Sequence, residues 1–87
     1  MANLFDLTII TPAKTVYEGK VSSLVAPAEL GYLGVLANHA PLAAWLSEGK
    51  ITIREASGKS VSFRSKGRGF LEVLKNNVTI FLSHFDK

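Results

Sequence analysis

The sequence predicts an all-β domain, a two-sheet antiparallel β-sandwich of about eight to ten short strands. Three observations carry that expectation. Apolar residues alternate with polar ones at a period of two along most of the chain. Gly, Pro and Asn punctuate the pattern every eight to twelve residues, the spacing of sandwich and barrel turns. No stretch holds the 3.6-residue period of an amphipathic helix.

The elements follow in order. Phe5, Leu7 and Ile9 alternate with Asp6 and Thr8, a strand with one buried face, and Thr11-Pro12 stops it by removing a ladder donor. Val16-Tyr17 leads into Glu18-Gly19, read as a turn, and Val21–Ala26 is a strand that Pro27 is expected to end. Tyr32–Leu36 and Ala40–Leu46 are short apolar stretches whose Gly34, Asn38 and Pro41 suit edges and bulges. Ile51 and Ile53 alternate with Lys50, Thr52 and Arg54. After Ala56–Lys59 the phase resumes at Val61 and Phe63, a hairpin with basic outer faces. Gly67-Arg68-Gly69 breaks the chain before Phe70–Leu74. Asn76-Asn77, tolerant of positive φ, turns it into Val78–Leu82.

The 87 residues are expected to form one domain, 1–87, burying only about 60–65% of the unfolded surface. No cysteine is present, so no disulfide or thiolate metal site supplements the core. Yet 47% of residues are apolar and the mean hydropathy is +0.22. The longest apolar run, Ala40–Leu46, is far short of the roughly 20 residues of a membrane helix. The surplus implies either an exposed patch awaiting a partner or simply the Val, Ile and Leu that β-domains favour. Met1–Asp6 has neither a basic leader nor an apolar signal core, so a cytoplasmic protein is expected.

Catalytic constellations are hard to assemble from this chain. His39 and His84 are distant in sequence and lack an acidic companion, a poor basis for a metal site. His39 reads as structural or interfacial, with one ring nitrogen satisfied by backbone. The acids Asp6, Glu18, Glu29, Glu48, Glu55 and Glu72 are scattered. Gly31, Gly34, Gly67 and Gly69 stand in no strand-to-helix phosphate fingerprint. No metal, cofactor or bound nucleotide is expected. Net charge is +3 and the sequence pI near 9.5. Arg54, Lys59, Arg64, Lys66 and Arg68 gather around one hairpin with Phe63 and Phe70, which leaves a small basic β-barrel-like nucleic-acid-binding module as the alternative. Against it, Phe63 shares its phase with Val61 and should point into the core.

Six blocks, in order over nearly the whole chain, carry a resemblance. GYLGVLANHAPL at Gly31–Leu42 closely resembles the signature of the ATP synthase epsilon subunit family, called delta in mitochondria. LTIITP at Leu7–Pro12, VYEG at Val16–Gly19, LVAP at Leu24–Pro27, GFLEV at Gly69–Val73 and NNVTIFL at Asn76–Leu82 are similar to the family's other blocks. Where relatives have Pro-Gly before HAPL, this chain has Ala37-Asn38, so Asn38 is expected at positive φ. The resemblance implies a non-catalytic rotor subunit gripping gamma with one face and resting a loop on the c-ring. It sits at the cytoplasmic face of the membrane, peripherally, through the complex, without nucleic acid. It points to Ala28, Glu29, Leu30, Gly31 and Tyr32 for the ring, and to Thr11, His39, Pro41 and Leu42 for gamma. Many relatives continue into a C-terminal helical hairpin that brakes rotation, and a chain ending at Lys87 is expected to couple the rotor without that brake.

Overall fold

A computed structural model describes residues 3–86; Met1 and Ala2, part of the segment read as lacking a leader, lie outside it. Seven strands follow one another: β1 (Phe5–Ile10), β2 (Thr15–Ala28), β3 (Gly31–Leu36), β4 (Leu42–Leu46), β5 (Gly49–Glu55), β6 (Ser60–Leu74) and β7 (Asn77–Asp86). No helix occurs among the described residues. The all-β expectation holds.

Pairing sorts the strands into two halves. One runs β4, β6, β7, β1 and the first part of β2, through residues 69–74 of β6 and 77–82 of β7. The other runs β3, the second part of β2, β5, residues 60–65 of β6 and the end of β7. Because β2, β6 and β7 pass from one half to the other, hydrogen bonding is continuous through all seven strands. Bent strands that switch sheets make such corners. Counted as segments there are ten; counted as continuous strands there are seven.

Three breaks that the sequence suggests are not made by the chain. Glu18-Gly19 is not a turn: Gly19 lies within β2 opposite Leu7, with the Tyr17 ring over it. Pro27 does not end β2 either, but pairs with Tyr32. Its carbonyl accepts a 2.8 Å bond from Ser47 N, so its missing donor points at the same edge, where the gap between β4 and β5 asks for no ladder bond. Gly67-Arg68-Gly69 is a bulge inside β6, with the register shifting between Lys66 and Gly69. Gly67 takes φ 76°, and Ser83 Oγ ties down the carbonyls of Lys66 and Arg68. A Cβ on Gly69 would lie 2.7 Å from the Phe81 carbonyl oxygen, so only glycine fits the bend.

One pairing departs from the antiparallel expectation. β1 runs parallel to β7, from Asp6 opposite Asn77 to Ile10 opposite Phe81. Both strands present alternate residues inward, so Leu7, Ile9, Val78 and Ile80 meet Phe5, Leu24, Leu46, Ile51, Ile53 and Leu71 in one apolar core. Phe63 is 4% exposed within it, and Ser65 is a buried polar side chain, donating to the carbonyls of Ser47 and Gly49.

Turn chemistry matches local sequence. Asn38 has φ 62°, as expected of the residue standing where relatives have glycine. The β6–β7 turn is Lys75-Asn76, at φ 50° and 63°, with Asn77 already the first residue of β7. That pair of positive φ values is the primed turn that suits strand twist. Gly34 has open space where a Cβ would stand.

Candidate functional site

The outer side of the β4–β6–β7–β1 half carries a row that alternation builds automatically. Leu42, Ala44 and Leu46 point inward, which sends Trp45 out; the same logic turns Phe70 and Phe81 outward, Phe81 exposed and Phe70, like Ile10, half-buried. Register then aligns them, since Trp45 pairs with Phe70, Phe70 with Phe81, and Phe81 with Ile10. The result is an apolar band across four adjacent strands, roughly 15 Å long at the usual strand spacing. Trp45 is 53% exposed and Phe81 46%. The Trp45 and Phe70 rings meet edge to face with centroids 5.1 Å apart. Arg68 lies 4.9 Å over the indole, and Pro12 closes the band beyond Ile10. A patch of this kind on a small domain marks a docking surface.

The second feature is the β2–β3 loop. Leu30 is fully outside at 103% exposure, Glu29 beside it is exposed, and Gly31 turns the chain at φ 130°. Tyr32 is 65% exposed and packs along Pro27, its hydroxyl so near Gly49 that a Cβ there would stand 3.1 Å away. Glu29 is not a free acid: its carboxylate pairs with Arg68, and its amide donates to the Trp45 carbonyl. The loop and β4 face each other across a groove of about 390 Å³. All five residues expected at a ring, Ala28 to Tyr32, line it.

The four residues expected at gamma are divided. Thr11 closes one end of the aromatic band, bonded to Lys14 in the turn after β1. His39 and Pro41 stand at the opposite end of the same half, on the β3–β4 connection. Leu42 points inward, half-buried against the core, and also lines the groove. His39 Nδ1 donates to the Ala40 carbonyl at 2.7 Å, the backbone satisfaction expected of it. Asn76 secures this connection: its amide nitrogen donates to Leu4 O and its oxygen accepts from Asn38 N at 2.7 Å.

The band itself was missed. Ala40–Leu46 reads as a short apolar stretch suited to an edge and Phe70–Leu74 as the segment after a break, and neither reading marks Trp45 or Phe70 as outward. The cue lay in phase: Trp45 alternates with Leu42, Ala44 and Leu46, so once these fill the core it cannot.

The nucleic-acid alternative finds no support. Phe63 is buried, and Phe70 faces outward on the half opposite the basic Lys50–Arg64 pair of β5 and β6. Among the described residues, no group of three His, Cys, Asp or Glu gathers around a metal position. No helix there is long and apolar enough to cross a membrane. Tyr17 is a perturbed titratable group: burial first, then donation to Glu55 Oε2 at 2.8 Å and the charge of that carboxylate, push its pKa up to about 12.

Comparison with known proteins adds the family. Residues 4–85 match the family model described as "ATP synthase, Delta/Epsilon chain, beta-sandwich domain". The chain is 39% identical over 83 residues to an ATP synthase epsilon chain of Leptospira interrogans, covering 95% of this chain and 64% of that one. It is 37% identical to an ATP synthase epsilon chain of Dichelobacter nodosus, covering 95% of this chain and 57% of that one. The chain thus spans under two thirds of these relatives. A chain in the Euglena gracilis mitochondrial ATP synthase structure superposes with a TM-score of 0.87 at 22% identity, covering 98% of this chain and 53% of that one. A chain in the Tetrahymena thermophila mitochondrial ATP synthase central stalk and c-ring structure gives 0.76 at 22% identity, covering 92% and 63%.

Proposed function

Because the chain belongs to the delta/epsilon β-sandwich family of ATP synthases, we propose that it is a non-catalytic rotor part. It joins the gamma subunit of the central stalk to the c-ring, so that torque from ion flow reaches the stalk without slipping. It lies at the cytoplasmic face of the membrane, held there through the complex, and binds no nucleotide of its own.

The observation that carries this reading is the aromatic band of Trp45, Phe70, Phe81 and Ile10 on an otherwise well-filled sandwich. Gamma is assigned to that outer side. Thr11 stands at one margin of it, and His39 and Pro41 at the other, with Leu42 next to them turned inward. The ring is assigned to the loop Ala28, Glu29, Leu30, Gly31 and Tyr32. There Tyr32 and Leu30 supply contact area, while Glu29, already paired with Arg68, adds a rim contact of about 0–1 kcal/mol.

Two measurements test it. Purified gamma should retain the chain at moderate salt, and a cysteine at Glu29 should crosslink to the ring. Crosslinks to gamma alone would reverse the orientation, and no retention by gamma removes the rotor reading.

A further inference from the structure

β3 is a sheet edge without the usual defences. Among the described residues it pairs with β2 alone, and no strand lies along its other side. Edges of this kind are normally blunted by charge, proline, a bulge or a covering loop. Gly31–Leu36 reads GYLGVL, with no charged residue and no proline, and its register with β2 runs unbroken from end to end. The side of β2 left free at Thr15–Lys20 differs, since Glu18 and Lys20 are exposed along it. β4 differs too: it is short, and its outer side meets the 28–32 loop where the Glu29 amide donates to the Trp45 carbonyl.

The pairing with β2 decides which groups of β3 are free. Pro27 accepts from Ser47 N on the side away from β3, so Pro27 and Tyr32 are a non-hydrogen-bonded pair. Alternation then turns the N–H and C=O of Gly34 and Leu36 outward. The free stretch ends at Asn38, whose amide donates to Asn76 Oδ1 at 2.7 Å. On the outer face Leu36 is 65% exposed. Two residues back, Gly34 has open space in place of a side chain, and Val25, 40% exposed, lies opposite it on β2. None of these three residues belongs to the aromatic band or to the loop assigned to the ring.

A projecting leucine and an empty position two residues apart on one free edge complement themselves under a two-fold axis. We propose that β3 pairs antiparallel with β3 of a second copy of this chain, Leu36 of each opposite Gly34 of the other. Each Leu36 then fills the space above the opposing Gly34, with Val25 behind it, and about four ladder hydrogen bonds join the edges. The other symmetric register, Gly34 opposite Gly34, would leave that space empty and set Leu36 against Tyr32, which already packs along Pro27. The strand brings no like charges into contact, although each copy carries +3. One strand pair buries less than the roughly 1,200 Å² at which stable complexes begin, so the dimer is weak, with Kd on the order of 100 µM. It covers the edge of the unassembled chain and gives way to tighter partners. The inference does not depend on the rotor reading.

The test uses the whole chain alone. Sedimentation velocity between about 10 µM and about 1 mM should show monomer passing to dimer, with an affinity that does not fall as salt rises. Gly34→Pro removes an outward N–H and no bond to β2, and should weaken dimerisation about ten-fold or more. Gly34→Lys and Leu36→Lys should do the same by charging the edge. Leu74→Lys, at a residue 50% exposed on the other half, should dimerise like the parent. Circular dichroism melts of each variant separate lost folding from lost pairing. The chain has no cysteine, so Gly34→Cys and Leu36→Cys chains, mixed in equal amounts and oxidised, should link to each other in preference to themselves. A chain that stays monomeric at about 1 mM overturns the proposal. So does a dimer that folded Gly34→Pro and Leu36→Lys leave intact, one that salt dissolves, or linkage of like with like. Loss of the dimer in Leu74→Lys alone overturns it in favour of a contact through the other half. Capture by gamma is measured separately, so failure of the rotor reading appears there and not in sedimentation.

Discussion

Replacing Trp45 by alanine should weaken the grip on gamma far more than it weakens the fold. The indole is 53% exposed in the free domain, so a partner that covers it removes about 130 Å² of apolar surface, taking a large aromatic at roughly 250 Å². At about 25 cal/mol per Å² that is about 3 kcal/mol, and imperfect fit reduces the expected loss to about 2–3 kcal/mol, or roughly 30–150-fold in affinity. The fold loses less: one edge-to-face contact with Phe70 and a half-exposed stack under Arg68, together about 1 kcal/mol. For a chain of this size that lowers the melting temperature by about 4–8 °C. The chain has a single tryptophan, so its own fluorescence reports the event. Titration with a tryptophan-free gamma fragment should shift the emission to the blue as the indole leaves water. Val25→Ala, at a 40% exposed residue on the other outer face, serves as the control and should bind like the parent. An alanine variant that stays folded and binds gamma as tightly as the parent, or a Val25→Ala that binds equally poorly, would refute the placement of gamma on this band.

Three further outcomes follow from the packing. Gly69→Ala puts a methyl 2.7 Å from the Phe81 carbonyl oxygen and 2.8 Å from Leu82 Cδ2, and should cost about 1–3 kcal/mol in urea unfolding; an unchanged midpoint would mean that the bulge can open. Asn76→Ala loses two hydrogen bonds and forces alanine to φ 63°, so a loss of about 2–4 kcal/mol is expected. Asn76→Gly, which keeps the φ, should recover about 1 kcal/mol of it. Tyr17 has its pKa raised to about 12 from an ordinary value near 10. Its neutral form is the one the fold favours, so the stability it contributes is complete below pH 10 and disappears as pH rises through 12. Tyr17→Phe should therefore flatten the fall in melting temperature over that window, and an unaltered slope would assign the fall to other groups.

Local chemistry wrote most of the fold legibly into the chain. Period-two alternation identified the inward residues Phe5, Leu7, Ile9, Ile51, Ile53 and Phe63, because burial of one face leaves no other register open to them. Asn38 betrayed its positive φ. The failures share a cause. Gly19, Pro27 and Gly67–Gly69 are breakers by local propensity, yet each lies within a strand because a distant partner makes the position tolerable: Leu7 opposite Gly19, the gap at Ser47 beside Pro27, Ser83 bonded across the bulge. The parallel pairing of β1 with β7 joins opposite ends of the chain, and no local pattern encodes it. The loop from Ala28 to Tyr32 was legible from the family blocks on either side of it, but the Arg68–Glu29 pair that occupies its acid spans 39 residues and was not.

The same limit explains why the aromatic band went unread while its members were all in plain view. Ile10, Trp45, Phe70 and Phe81 sit on four strands that are adjacent only after β6 has bent at its glycine bulge and β1 has found β7. The bend therefore has a second consequence besides joining the two halves. It fixes the register in which Leu46 meets Gly69 and Gly69 meets Leu82, and that register is what brings Trp45, Phe70 and Phe81 into line one residue further along. A slip by one residue on β6 would turn Phe70 inward and Leu71 out, filling the core wrongly and dissolving the band together. Core packing and the outer docking surface are thus specified by one geometric choice, made at Gly67 and Gly69. Substitutions there should lose stability and partner affinity in step, whereas substitutions at Trp45 separate the two.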